Sequence, residues 1–340
     1  MLTGRRDPFD GLDGPGRDLL LAAAERQGLL STIAQRLPPG DEGLRTRYQR
    51  LAAGARLRDA RVRAVLEEVL GLLARAGVVP VALKGPVLAD RVYPDPALRY
   101  SGDLDLLVPE SELDRSLAAL QAAGFGRAPA LVDAYQRRHH HHLHLHRSPG
   151  PDVELHFKAQ SAFGIALPAA DLLARTLPHR TARGTPLLVL SPEDELLTLA
   201  VHAAGHLAER ASWILDLLLF LGRHPALDWS VVAGRAREYR CRRPLAYTLA
   251  LVREAGGLVP EGPLRALGPR RRALCARLAA AALAREGRTA IALRFAHQLA
   301  LRDRPFGSAG PILREAFWFA RRRADRISRG TRREAGEGKP

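Results

Sequence analysis

Apolar residues recur at helical spacing through the first quarter of the chain. After a Gly-, Pro- and Asp-rich lead-in over 1–16, one such pattern covers 17–37 and stops at Pro38-Pro39-Gly40. A longer one runs over 41–76, with Leu51, Ala55, Leu66, Val69, Leu70 and Leu73 on or near one stripe. Gly77 stands where a helix C-terminal glycine belongs. The texture then changes. Residues 78–83 (VVPVAL) are a short β-branched run and predict a strand. Residues 86–92 predict a brief helix, broken by Tyr93-Pro94-Asp95-Pro96, and 103–108 (DLDLLV) a second strand in which acids alternate with leucines. A helix is predicted over 110–124 and two more strands over 140–147 and 152–157, joined as a hairpin by the turn chemistry of Ser148-Pro149-Gly150-Pro151. From Ser191 onward the pattern is helical, beginning with an N-cap serine, a first-turn proline at Pro192 and an acid at Asp194. That helix carries LLTLAVHAAGHLAERA and continues or restarts through WILDLLLFL; further helices are predicted over 229–239, 244–255, 270–286 and 312–326.

These elements give an α+β chain: an N-terminal helical segment (1–76), a small α/β core with a mixed sheet (77–190), a C-terminal helical domain (191–327) and a basic, polar, disordered tail (328–340). The length of 340 residues fits that plan, at about 150 residues per domain. Hydrophobic residues at 46% and charged residues at 26% are ordinary globular usage and exclude wholesale disorder. No repeat of fixed period stands out. The longest apolar run, 214–221, is interrupted by Asp216 and falls far short of the roughly 20 residues of a membrane span. The start, MLTGRRDPFDG, has no apolar signal-peptide core, and Cys241 and Cys275 frame neither a disulfide scaffold nor a cysteine zinc site. A cytoplasmic location is the expectation.

Charge changes the picture less than its size implies. The formal net charge is +16, with Lys plus Arg at 52 against Asp plus Glu at 36. Only Lys84, Lys158 and Lys339 are lysines, an arginine bias that genome composition explains as readily as a partner does. A cationic surface still attracts phosphate-bearing ligands and nucleic acid. The densest basic run, RRRADRISRGTRR over 321–333, is either a nucleic-acid arm or a solvated helix end fraying into EAGEGKP. No aromatic residue interleaves it for base stacking.

The chemistry concentrates at Asp103-Leu104-Asp105. Side chains two apart on a strand share a face, so two carboxylates stand side by side while the leucines point into a core. Like charges that close repel unless a cation neutralises them, and hard oxygen donors suit Mg²⁺. The alternative is a solvent-facing strand edge. Three neighbours favour the metal. Leu83-Lys84-Gly85-Pro86 ends a strand and opens a helix, placing a lysine and free N–H groups where a phosphate binds. Glu154 and His156 share one face of a later strand, so Glu154 supplies a third carboxylate. Arg99 and Gly102 immediately precede the acid pair, where a cation reaches a triphosphate or braces the loop.

Histidines form two further groups. His139, His140, His141, His142, His144 and His146 are six of the twelve, and the last three alternate on one strand face. They suit zinc or a soft transition metal, or else line the cleft, where one touches substrate phosphate, or face water. His202 and His206 lie four apart on a helix with no Glu between them, which excludes a zinc-protease motif and leaves core or cleft histidines. If the C-terminal helices close over the core, His206, Trp213 and Asp216 border the nucleotide or acceptor pocket; Trp213 otherwise fills a core.

The stretch LKGPVLADRVYPDPALRYSGDLDLLV, then a helix ending in LQAAGF and later VELH, resembles the uncharacterised nucleotidyltransferase family of the DNA polymerase β superfamily. The similarity is most specific over 78–156 and extends more weakly through HAAGHLAERASWILDLLLFL. The resemblance implies a polymerase-β-like core and transfer of an NMP from an NTP, ATP foremost, to an unidentified hydroxyl, with release of pyrophosphate. It implies two Mg²⁺ ions, Mn²⁺ being the substitute, on Asp103, Asp105 and Glu154 as catalytic and metal-binding residues. Lys84, Gly85, Arg99, Gly102, His156 and His206 are the expected substrate-binding residues. Members of the family occur in bacteria, often near genes for peptide natural products or surface polysaccharides. One departure stands out: the superfamily's Gly-Ser pair close before the acids is absent, and Gly85 is preceded by Lys84 and lies a helix and a loop away. The rival readings are a nucleotide-binding accessory protein without turnover and a basic nucleic-acid-binding factor.

Overall fold

The computed structural model describes residues 8–127, 137, 141–158, 165 and 167–303. The predicted helix over 312–326, the basic run 321–333, the tail over 328–340, and His139 and His140 lie outside the described residues.

The N-terminal pattern splits in two. Helix α1 (Gly14–Arg26) stops before Gly28, and the short α2 (Leu30–Ile33) follows, where the sequence reads as one helix. Helix α3 (Glu42–Arg75) runs unbroken for 34 residues, capped at its start by the Asp41 carboxylate on the Leu44 N–H. At its end Gly77 takes a φ of +72°, a conformation that costs glycine little, and turns the chain into the sheet.

Among the described residues the sheet has seven strands, in the order β3-β4-β5-β2-β1-β7-β6. These are β1 (Val81–Ala82), β2 (Asp103–Leu107), β3 (Gly126–Arg127), β4 (His142–His146), β5 (Asp152–His156), β6 (Leu177–Arg180) and β7 (Pro186–Val189). It is mixed: β2 runs parallel to β5 and β1 to β7, while the pairs β1–β2, β3–β4, β4–β5 and β6–β7 are antiparallel. The expected strand over 78–83 shrinks to the two residues of β1, with Pro80 contributing only its carbonyl, to the Leu188 N–H. The β6–β7 hairpin escapes the sequence pattern because Pro178 and Pro186 read as breakers. Both sit where proline is tolerated, on an edge strand and at a strand start.

Each face of the sheet has its own core. Leu104, Leu106, Val153, Leu155, Leu143 and Leu145 pack against Leu66, Leu70 and Leu73 of α3 and Leu113, Leu117 and Leu120 of α5 (Leu113–Ala122). On the other face Val81, Leu83 and Leu107 join α4 (Pro86–Val92), α7 (Pro192–Gly205), α8 (Ala211–Arg223) and α10 (Arg242–Glu254) in one apolar cluster. The remaining helices are α6 (Ala169–Leu173), α9 (Trp229–Glu238), α11 (Glu261–Leu264), α12 (Pro269–Leu283) and α13 (Gly287–Leu301). The predicted helix over 191–221 restarts: Leu207 and Ala208 adopt positive φ and separate α7 from α8. Helix α13 has no counterpart in the sequence reading. No helix among the described residues is long and apolar enough to cross a membrane.

Candidate functional site

Period-two alternation on β2 and β5 builds the site. Leu104, Leu106, Val153 and Leu155 are committed to the α3–α5 core, so Asp103, Asp105, Glu154 and His156 must face the opposite side. The parallel register then sets Asp105 beside Glu154 and Leu107 beside His156. Lys84 follows β1 directly, where the Leu83 N–H bonds the Asp105 carbonyl and brings the lysine alongside the acids.

The result is a cluster of opposite charges largely shielded from water. Asp105 is 2% exposed. The Lys84 Nζ lies 3.1 Å from Asp105 Oδ2 and 3.9 Å from Asp103 Oδ2. The His156 Nε2 lies 3.1 Å from Asp105 Oδ1 and 3.5 Å from Glu154 Oε2. On β4, the His144 Nε2 is 3.5 Å from Glu154 Oε1 and the His142 Nε2 is 3.8 Å from Oε2.

The electrostatics follow from that arrangement. Burial pushes the Asp105 carboxyl up, but Lys84 and the hydrogen-bonded His156 outweigh it and leave it below its ordinary value. Burial likewise opposes ionisation of Glu154, and His156, His144 and Lys84 overcome it, holding this carboxyl at about 2. Asp103 goes the other way: burial and the neighbouring Asp105 charge raise it. Burial disfavours the charged forms of Lys84 and His156, yet the carboxylates prevail and raise both. His202 of α7 and His206 at its C-terminal cap feel the same lysine. Burial first, then the Lys84 charge, pushes His202 well below its usual range and lowers His206.

A divalent cation fits these residues. Asp105 Oδ2 is buried and takes no hydrogen bond of good geometry; the lysine ammonium facing it is an ion pair, the kind of contact a metal ion replaces. Asp105, Glu154 and His156 each offer a donor atom within 4.8 Å of the others. Asp103 belongs to no such group among the described residues and flanks the cluster across Lys84. The structure thus brings together Asp105, Glu154 and His156, while Asp103, expected as one of three clustered carboxylates, flanks them.

The other expected site residues divide. Gly85 has a φ of +76° at the N-terminus of α4, a conformation that requires glycine, and a Cβ there would sit 3.8 Å from the Asp103 carbonyl. Gly102 is exposed, and a Cβ on it would meet the Tyr100 hydroxyl at 3.1 Å. Arg99, read as reaching a triphosphate or bracing the loop, is buried. Its Nε and Nη2 donate to the two oxygens of Asp216 on α8, each at 2.8 Å, and Nη1 donates to Ser101. The Tyr93 hydroxyl donates to the same carboxylate at 2.7 Å, so Arg99 braces the loop leading into β2. Asp216 thus lies in this brace rather than in an open pocket. His206 is exposed at the end of α7; its ring centroid is 4.7 Å from that of His202 and 5.4 Å from that of Trp213.

Sequence reasoning weighed a loop brace for Arg99 but missed its partners Asp216 and Tyr93, and it missed the effect of Lys84 on His202. The only signal for the first was an aspartate inside the apolar run of α8; for the second, it was the four-residue spacing of His202 and His206.

No curated protein matches the chain. Among solved structures it is similar to the antibiotic-resistance factor ANT(2'')-Ia, at 14% identity and a TM-score of 0.36, over 52% of this chain and 91% of that one. The family model described as uncharacterised nucleotidyltransferase matches residues 14–257. That span takes in every strand of the sheet, the acids of β2 and β5, and helices α1 through α10, and the chain belongs to the uncharacterised nucleotidyltransferase family.

Proposed function

We propose that this chain transfers an NMP from an NTP, ATP foremost, to a hydroxyl of an acceptor, with release of pyrophosphate. Asp103, Asp105 and Glu154 would hold two Mg²⁺ ions, or Mn²⁺ in their place. The observation that carries this reading is the in-register pairing of Asp105 with Glu154 beneath Lys84. Buried carboxylates brought together this way are costly without cations, and folding alone does not call for them.

Bound ions would offset phosphate charge and acidify the acceptor hydroxyl. The chain's own groups do the rest. Asp105 and Glu154 remain ionised because Lys84 and His156 stabilise their charge. Lys84 neutralises the acids in the ion-free chain, and with cations present its ammonium is free for phosphate oxygens. The Gly85 amide, at the start of α4, would steady phosphate oxygens beside Lys84. His156 stays within hydrogen-bond reach of Asp105 Oδ1 and fixes that carboxylate's orientation. In the reaction the acceptor oxygen bonds the α-phosphorus as the bond to the β-phosphate oxygen breaks. Pyrophosphate leaves with that electron pair, and the hydroxyl proton passes to a carboxylate of the cluster or to water.

NTP-dependent pyrophosphate release across a panel of hydroxyl acceptors, including small antibiotics, peptides and saccharides, tests the reading. Release by the native chain that is lost in the Asp103→Asn/Asp105→Asn double variant supports it. Equal turnover by the double variant, or NTP binding without release against any acceptor, overturns it. An accessory role in peptide natural-product or surface-polysaccharide biosynthesis is distinguished by the same panel.

A further inference from the structure

The β4–β5 hairpin carries donors that nucleotidyl transfer leaves unused. His142 and His144 alternate on β4, and His144 stands directly opposite Glu154 in the antiparallel register. Their Nε2 atoms are 3.0 Å apart. The His144 Nε2 is 3.5 Å from Glu154 Oε1, and the His142 Nε2 is 3.8 Å from Glu154 Oε2.

The three groups each offer a donor atom within reach of a single ion. Two imidazole Nε2 atoms at 3.0 Å satisfy each other only when one carries a hydrogen and the other does not. The two contacts to the carboxylate exceed the roughly 3.2 Å limit of a good N–H···O bond. Donors about 2.0–2.1 Å from a tetrahedral ion stand about 3.3–3.4 Å from one another; here the two Nε2 atoms are 3.0 Å apart, they lie 3.5 Å and 3.8 Å from different oxygens of Glu154, and one donor atom from each of the three residues falls within 4.8 Å of the others.

The donor chemistry then selects the ion. Two imidazoles and one carboxylate form a set for a borderline transition metal, whereas Mg²⁺ prefers oxygen donors throughout. The His144 side chain is 46% exposed, which leaves a fourth coordination position open to solvent. We propose that His142, His144 and Glu154 form a binding site for a borderline divalent transition metal, Zn²⁺ foremost, which shares Glu154 with the hard-ion site at Asp103, Asp105 and Glu154. Glu154 links the two: Oε1 faces His144, and Oε2 lies 3.5 Å from the His156 that bonds Asp105. An ion held by the imidazoles would keep this carboxylate deprotonated with Oε1 toward β4 and Oε2 toward His156, tying the hairpin to the centre of the sheet. The inference stands on the hairpin geometry and does not depend on nucleotidyl transfer.

Titrating the metal-stripped full chain with Co²⁺ alone tests it. One equivalent is expected to give the intense visible bands of tetrahedral Co²⁺, and added Zn²⁺ to bleach them. His144→Ala and His142→Ala should abolish the bands and weaken Zn²⁺ binding on the order of tenfold or more. His146→Ala, the pair His139→Ala/His140→Ala, and Asp103→Asn should keep the bands. Weak octahedral absorption only, bands that survive in His144→Ala, or equal loss in the His139/His140 pair would each overturn the site. The exposed position of His144 makes its variant the one least exposed to misfolding, and circular dichroism checks the fold. Loss of pyrophosphate release in Asp103→Asn with the cobalt bands intact separates the two sites, so each reading can fail without the other.

Discussion

At the scale of single residues, the decisive group is Asp105, a carboxylate 2% exposed with Lys84 on one oxygen and His156 on the other. Replacing it with Asn keeps its shape and removes its charge, so we expect pyrophosphate release to fall about 100-fold or more, with Asp103→Asn falling less because Asp103 flanks the cluster. Initial-rate measurements at saturating NTP and varied Mg²⁺ check the ranking. The cluster also sets a pH dependence in the metal-stripped protein. Glu154, lowered to about 2, contributes stability that is complete above its ordinary 4.5 and is lost as pH falls through the lowered value. His156, raised, contributes stability that is complete below 6.5 and is lost as pH rises through its folded value. The gap in urea midpoint between the native chain and His156→Gln should therefore be widest between about 4.5 and 6.5 and narrow above that window. A gap that stays constant with pH would contradict the linkage. Asp103 and Asp105 were legible in the sequence because a two-residue repeat of acids against leucines has one physical reading on a strand. The burial of Lys84 against them was not, because it depends on the bond from Leu83 to Asp105 across β1 and β2.

At the scale of elements, helix α8 reaches the site through Asp216, which receives Arg99 and Tyr93 and so fixes the loop that delivers Asp103. Both members of the ion pair are buried, the side chains at 5% and 2% exposure. Removing one partner of such a pair strands the other charge, so Asp216→Asn should cost about 3–5 kcal/mol in urea unfolding. The Arg99→Met/Asp216→Leu double variant should cost less than the sum of the single changes. If Arg99 instead served the triphosphate directly, Asp216→Asn would leave stability near native and change only KM. The hairpin β4–β5 was readable from its turn and its alternating residues, and the long α3 from its stripe. The β6–β7 hairpin was not, since its prolines imitate loop signals and only the position at the sheet edge makes them tolerable.

At the scale of the whole molecule, the sheet is covered on both faces by helices from either end of the chain. Helix α3 lies within the N-terminal segment, and α7 and α8 within the C-terminal domain, so the segment 77–190 owns neither cover completely. Expressed alone, that segment should show no cooperative urea transition by circular dichroism, because Leu66, Leu70 and Leu73 would be missing from one core and Leu196, Leu197 and Phe220 from the other. A sharp transition in the isolated segment would establish it as an independent domain.

What the amino-acid order determined by itself was local. Alternation on β2 and β5 dictated which residues share a face, helical stripes dictated α3 and α7, and glycine at positions 77 and 85 dictated two sharp changes of direction. These depend on neighbours one to four positions apart, where periodicity carries the signal. Tertiary structure alone decided that β5 lies parallel beside β2 in the register that sets Glu154 against Asp105. It alone committed Arg99 to a helix more than a hundred residues away and set His142 and His144 against Glu154. Such pairings are chosen by how whole faces bury one another, and no window of sequence contains both partners.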